Sequence, residues 1–221
     1  MTAENRRQIV RDAVGIGVAT GAYGLSFGAL SVAAGLDVAQ TSALSLLMFT
    51  GASQFALIGV LGAGGAWLAA AGSAVLLGTR NALYGLRMSP LLDLSGGRRI
   101  AGSHLVIDES TAMGIAHEEG GHGALGFFAT GLSVFVFWNL GTLLGALGAR
   151  VIPSPESLGL DAAVPAAFIA LLAPRLRRGE PWVIAGLGAA VALALTPVLP
   201  VGVPIIASAI VAVVAGLRGR R

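Results

Sequence analysis

The chain has 221 residues, 55% of them hydrophobic and only 11% charged, with a mean hydropathy of +0.83. Soluble domains carry roughly 25% charged residues, so the composition excludes an ordinary soluble domain and indicates an integral membrane protein. The pI near 10.5 is not read as nucleic-acid binding: the 14 basic residues, all arginine, sit mostly at segment ends, as the positive-inside rule and phosphate headgroups require. Zero cysteines exclude disulfides and thiolate metal sites.

Residues 1–12 form a polar helical lead-in, expected on the cytoplasmic side, and residues 13–221 a single transmembrane domain. The charges leave uncharged runs at 13–36, 38–79, 120–149 and 181–217. About 20 residues carry a helix across ~30 Å of hydrocarbon, so the second and fourth runs can each hold two passes. The first apolar segment, 13–36, is too long for the core of a signal peptide. Gly15, Gly17, Gly21, Gly24 and Gly28 punctuate it at the three- and four-residue spacing of close helix packing.

A second segment, 38–61, follows Asp37 and contains Thr50-Gly51-Ala52-Ser53-Gln54 in the middle of an otherwise apolar run. Non-helical backbone survives at depth only when it is buried in protein or lines a watery cavity. A half-helix beginning near Ser53-Gln54 would aim free N–H groups and a positive dipole end at an anionic group such as a carboxylate; an unbroken helix with small packing residues is the alternative. A glycine turn, 62–65, leads to the third segment, 66–86, which carries Arg80, Asn81 and Tyr84 and ends at Pro90. An arginine inside a span marks a pathway or a paired network, unless it snorkels to the interface along its own stem.

Residues 91–100 are polar and basic, and a mixed segment, 101–119, carries His104, Asp108, Glu109 and His117. Too charged to face lipid, it lies in the interface or lines a cavity inside the bundle. The adjacent acids could neutralise Arg80 or take up and release a proton. The fourth clear span, 124–147, holds Trp138 and Asn139, an aromatic and an amide in mid-span. Segments 158–172, 182–195 and 198–217 follow, the last two broken by Pro197, Pro200 and Pro204. The fold class is therefore all-α: a polytopic helix bundle of about seven membrane segments, not all of which need cross, with at least one broken or re-entrant helix.

The arginine clusters impose a constraint. Three segments separate Arg6, Arg7 and Arg11 from the Arg98/Arg99 loop, an odd number, yet both clusters ask to be cytoplasmic. Either one element between Ala13 and Leu86 turns back, or that loop is an exception. A faint repeat pairs Gly-Leu-Asp at Gly35 with Gly-Leu-Asp at Gly159, each followed by an apolar helix, as in transporter repeats.

No nucleotide loop, zinc-helix motif or nucleophile elbow is present, so an enzyme is not expected, nor any cofactor. The stretch His117 to His122, "HEEGGH", lacks a helical histidine pair and reads as a loop, not a metal site.

In their order, "GLSFGALSVAAGL", "FTGASQFALIGVL", "RNALYGL" followed by "SP", "DES" and "FWNLGTLLGAL" resemble the AzlC family of branched-chain amino acid exporters. The resemblance implies secondary export of hydrophobic amino acids across a bacterial inner membrane, together with a small AzlD-like membrane subunit and without an ATPase. It reaches residues already chosen: Gly51, Ala52, Ser53, Gln54, Arg80, Asn81, Tyr84 and Trp138 for substrate, to which the residue reading adds Thr50 and Asn139, with Asp108 and Glu109 for proton coupling. Gly78-Thr79-Arg80 departs from the Asn-x-Arg frequent in that family, which leaves one amide's role open. A membrane scaffold subunit that stabilises a partner without transporting is the rival reading.

Overall fold

The computed structural model describes residues 3–149 and 179–218, with Ile169, Leu172, Ala173 and Leu176 between them. Among the described residues there is no strand, and the helices are α1 (Ala3–Ala33), α2 (Val38–Leu47), α3 (Ala52–Gly62), α4 (Trp67–Leu92), α5 (Gly96–His104), α6 (Asp108–Ala116), α7 (Gly123–Ala149), α8 (Gly179–Leu195) and α9 (Val203–Arg218). Two stretches, Glu4–Ala33 and Gly123–Ala149, are long and apolar enough to cross a membrane.

These two long helices form the frame. They run parallel in register, Gly17 beside Ser133, Gly21 beside Phe137 and Gly24 beside Trp138. A Cβ at Gly24 would lie 2.6 Å from the Trp138 carbonyl oxygen, and one at Gly21 2.9 Å from that of Phe137. α7 answers with Gly141 and Gly145, where a Cβ would collide with the Gly21 and Leu25 carbonyls. The glycine spacing expected to make a packing face therefore brings the two backbones into direct contact, the small-residue mode that works where lipid offers no hydrophobic drive.

Between them the chain turns back twice. In the following, "upper" denotes the end where α1 and α7 finish, and "lower" the opposite end. α2 leaves the upper end, capped by Asp37, whose carboxylate accepts from the Gln40 N–H at 2.7 Å. The chain breaks at 48–51, and α3 returns to the upper end, where Gly62 faces Ala34. Arms of 10 and 11 residues rise ~15 Å at 1.5 Å per residue, about half of the hydrocarbon thickness. The second segment is thus a re-entrant hairpin with its tip at Phe49–Gly51.

α4 then descends the full length beside α3, Gly78 facing Ser53, and continues through Pro90 to a left-handed residue, Asp93 at φ 43°. The helix thus runs to Leu92, past the Pro90 expected to end it, because a proline so near the helix end removes one donor without breaking the rod. At the lower end Met88 meets Gly114, and Leu91 meets Gly123.

The mixed segment makes a second hairpin, inverted relative to the first. α5 climbs to Leu105, which packs on Gly131 of α7, and α6 descends with Ser110 near Gly131, Met113 near Gly126 and Gly114 near Gly123. A single re-entrant hairpin between α1 and α4 brings Arg98 and Arg99, which begin α5 and do not form a loop, to the end that carries Arg6, Arg7 and Arg11, and this resolves the parity conflict without an exception. The stretch 117–122 is a turn, with Gly121 at φ 72°. Among the described residues α8 packs on α9, and α9 reaches α4 through Ile206 against Gly72. The expected segment 158–172, apart from Ile169 and Leu172, and the second copy of the Gly-Leu-Asp repeat lie outside the described residues.

Candidate functional site

The two hairpin tips meet beside the midpoint of α7. Each tip is built the same way. In the first, Gln54, third residue of α3, accepts the Gly51 N–H through Oε1 at 3.0 Å and donates through Nε2 to the Leu44 carbonyl at 3.4 Å. In the second, Ser110, third residue of α6, accepts the Ile107 N–H at 3.1 Å and donates to the Leu105 carbonyl at 2.6 Å. Both side chains are fully buried. Positions 54 and 110 stand 56 apart, and each ties the returning arm to the arriving one. The Gly51 and Ile107 N–H groups and the Leu44 and Leu105 carbonyls at the buried breaks thereby have partners that hydrocarbon would not supply.

Gly51 makes the first break possible. Its backbone sits at φ 63°, ψ −88°, a region essentially closed to residues with a Cβ. The first intrahelical bond of α3 is Phe55 N–H to Gly51 C=O at 3.1 Å, so the N–H groups of Ala52, Ser53 and Gln54 precede it and form the positive end of the helix. α3 carries no acid in its first turn, whereas α6 carries Asp108 and Glu109 in its own. The two tips therefore present opposite electrostatics: an uncompensated helix N-terminus above and a pair of carboxyl residues below.

Arg80 of α4 bridges them. Its Nη1 donates to Asp108 Oδ2 at 2.9 Å and its Nη2 to the Thr50 carbonyl at 3.3 Å. Both charged side chains are about three-quarters buried, at 24% and 23% exposure, where an ion pair is screened far less than at a surface. His104, the last residue of α5, adds a second tie by donating from Nε2 to the Leu46 carbonyl at 2.9 Å. Its ring lies against Phe49 and Phe135.

Beside Arg80 and the two tips lies a partly open cavity of ≈ 160 Å³. A cavity of about 150 Å³ admits a benzene molecule, so the space is large enough for a small solute. Of the residues expected from the sequence, Thr50, Gly51, Ala52, Arg80, Asp108, Glu109 and Trp138 line it. Ser53 instead faces Gly78 of α4, and Gln54 ties the tip together. Asn139 donates to Phe135 O of its own helix at 2.8 Å, Tyr84 packs against the core cluster, and Asn81 is absent from the lining. Thr20, Tyr23, Phe49, Phe55, Ile107 and Val134 complete the wall without having been picked out in the sequence. Trp138 stacks on Phe27 at 5.9 Å and meets Phe55 edge-on at 6.2 Å. The cavity thus has an apolar, largely aromatic side and a charged side. No group of three or more His, Cys, Asp or Glu that could hold a metal occurs among the described residues.

Apolar frame helices, arms reaching half a membrane's thickness and a charged cavity between the arms' tips define, among the described residues, a helical membrane protein. The family model described as AzlC protein matches residues 15–152, more than half of the chain and all of the elements that build the cavity. The chain belongs to the AzlC family, a transporter-associated and not an enzymatic one, and its role lies in membrane transport. No curated protein and no solved structure matches it.

Proposed function

We propose that the protein is a secondary transporter that exports branched-chain and related hydrophobic amino acids across the bacterial inner membrane, as the large, multi-pass subunit of a two-component exporter with a small AzlD-like partner. The observation that carries this reading is the cavity itself. A zwitterion with an apolar side chain needs one positive end, one negative end and one greasy wall, and these occur together within ≈ 160 Å³. The substrate carboxylate sits at the first turn of α3 beside Arg80, as anions do at helix N-termini. Asp108 and Glu109 receive the ammonium group or couple protons. Phe49, Phe55, Ile107, Val134 and Trp138 take the side chain. One methylene more or less changes binding by only about 1–3 kcal/mol in such a wall, so specificity is broad among aliphatic residues.

Counterflow of labelled valine in liposomes that contain this chain and its partner tests the proposal. Folded protein with no uptake above empty vesicles ends it. The scaffold alternative predicts that Arg80→Ala leaves cells unaffected while Gly21→Leu does not; the transporter predicts loss in both.

A further inference from the structure

We infer that α2 is the seat of one phospholipid of the upper leaflet whose headgroup is a zwitterion with a primary ammonium, as in phosphatidylethanolamine. The inference needs only helices that lie in a bilayer and is independent of what the cavity carries. α2 meets α7 through one face, where Thr41 and Ser45 are fully buried and the Ser45 hydroxyl donates to Thr142 Oγ1 at 3.2 Å. Beside that face an open groove runs between α2 and α3, lined by Ala34, Ala43, Leu44, Leu47, Leu57 and Leu61 and, among the described residues, by no charged side chain. From Gln40 at its upper end to Met48 beside the tip, the groove follows the chain for ~12 Å at 1.5 Å per residue, against ~15 Å of hydrocarbon in one leaflet. Leaflet-deep, apolar and open along its flank, it matches an acyl chain laid alongside α2. A loop of protein there would bring backbone polar groups that neither the groove nor the lipid can satisfy.

The headgroup end supplies both signs of charge. At the start of α2 a second depression is lined by Val32, Asp37, Val38, Ala39 and Ser42. Asp37 is exposed and commits Oδ1 to the Gln40 N–H; an ionised carboxylate accepts up to about four hydrogen bonds, so acceptor capacity is left over. The N–H groups of Val38 and Ala39 precede the first backbone bond of the helix, Thr41 N–H to Asp37 C=O at 2.9 Å, and belong to its positive end. A phosphate takes those N–H groups as anions do at helix N-termini, and an ammonium donates to Asp37 beside them in a charge-assisted hydrogen bond. The two halves of a phosphoethanolamine headgroup thus find opposite partners on adjacent residues. A phosphoglycerol headgroup brings its phosphate to Asp37 with no cation to offset the repulsion, and a choline has no N–H to donate.

Native mass spectrometry of the full chain, released from nanodiscs that hold equal amounts of phosphatidylethanolamine, phosphatidylcholine and phosphatidylglycerol, tests the seat. One phosphatidylethanolamine is expected to survive stepwise delipidation, retained about tenfold over phosphatidylglycerol, the ratio that ~1.4 kcal/mol gives. Asp37→Asn keeps the helix cap, since asparagine caps as well as aspartate, and should bring that ratio to about one. Asp93→Asn, at an exposed acid of the lower end, should leave it unchanged. Ala43→Phe fills the groove and should cut retention of the bound lipid about tenfold in a chain whose thermal unfolding shows it folded; if that chain does not fold, Ala43→Leu is read in its place. Equal retention of the three lipids by the unsubstituted protein overturns the inference, and so does a preference that survives Asp37→Asn or that Asp93→Asn also removes. Retention unaffected by filling the groove overturns it as well and leaves the groove to a helix of another subunit.

Discussion

Gly51→Ala isolates the backbone requirement of the upper tip. The position offers space, since an added Cβ meets only Trp138 Cη2, at 4.0 Å, an ordinary contact. The cost is therefore conformational. At φ 63°, ψ −88° the backbone lies near the strained γ-turn, and holding a non-glycine residue in so sparsely populated a region costs about 1–3 kcal/mol. Chains of 150–250 residues lose about 2–4 °C in Tm per kcal/mol, so a drop of roughly 5 °C is expected for the solubilised protein. Gly85→Ala is the control. It sits inside α4 with nothing within 4 Å of the added atom, and alanine there should stabilise by about 0.4–1 kcal/mol. A Gly51→Ala protein with Tm at or above the unsubstituted chain refutes the argument, because the tip would then accept an ordinary conformation.

Three further outcomes follow from the packing and the cavity. Gly24→Ala pushes a methyl to 2.6 Å from the Trp138 carbonyl and should cost about 1–3 kcal/mol by overpacking, whereas Gly15→Ala, in open space, should not destabilise; equal Tm values for the two remove the interlocked frame. Arg80→Gln and Asp108→Asn should each cost about 1.5–3 kcal/mol, and the double variant about 1–2 kcal/mol less than their sum. Strict additivity in thermal unfolding dissolves the pair as an energetic unit. Trp138→Phe trims the ring that faces Gly51 and should favour larger side chains, with leucine and phenylalanine gaining about tenfold over valine in competition for labelled valine uptake; an unchanged ranking places the side-chain pocket elsewhere.

The upper tip was legible because its residues are anomalous where they stand: a glycine, a serine and an amide in a run that lipid should favour. Arg80 and the adjacent acids were legible for the same reason, since charge inside an apolar stretch demands a partner. The lower tip was not. Leu105-Val106-Ile107 is an apolar, partly β-branched triplet that resembles any span, and the residue that ties it, Ser110, differs from its counterpart Gln54. The inverted relation of the two hairpins is carried by backbone geometry and not by repeated letters, so no alignment of the chain with itself displays it. Phe49, Phe55 and Val134 were overlooked because an apolar residue in an apolar segment carries no sign of which side faces a hollow. The arginine clusters did carry information about direction, since their parity required a turning element before α4.

The parallel pairing of α1 with α7 has a consequence for assembly. Ribosomal synthesis delivers α1 first, yet the surface that fits its glycines is made roughly a hundred residues later. Until then the groove on α1 has no occupant, and neither hairpin has a wall to rest against. Closing so long a loop is slow compared with forming local contacts, so biogenesis should stall whenever translation ends before Ala149. A nascent chain released at that stage would hold two half-length arms with exposed peptide dipoles in lipid, which marks it for the quality-control proteases of the bilayer.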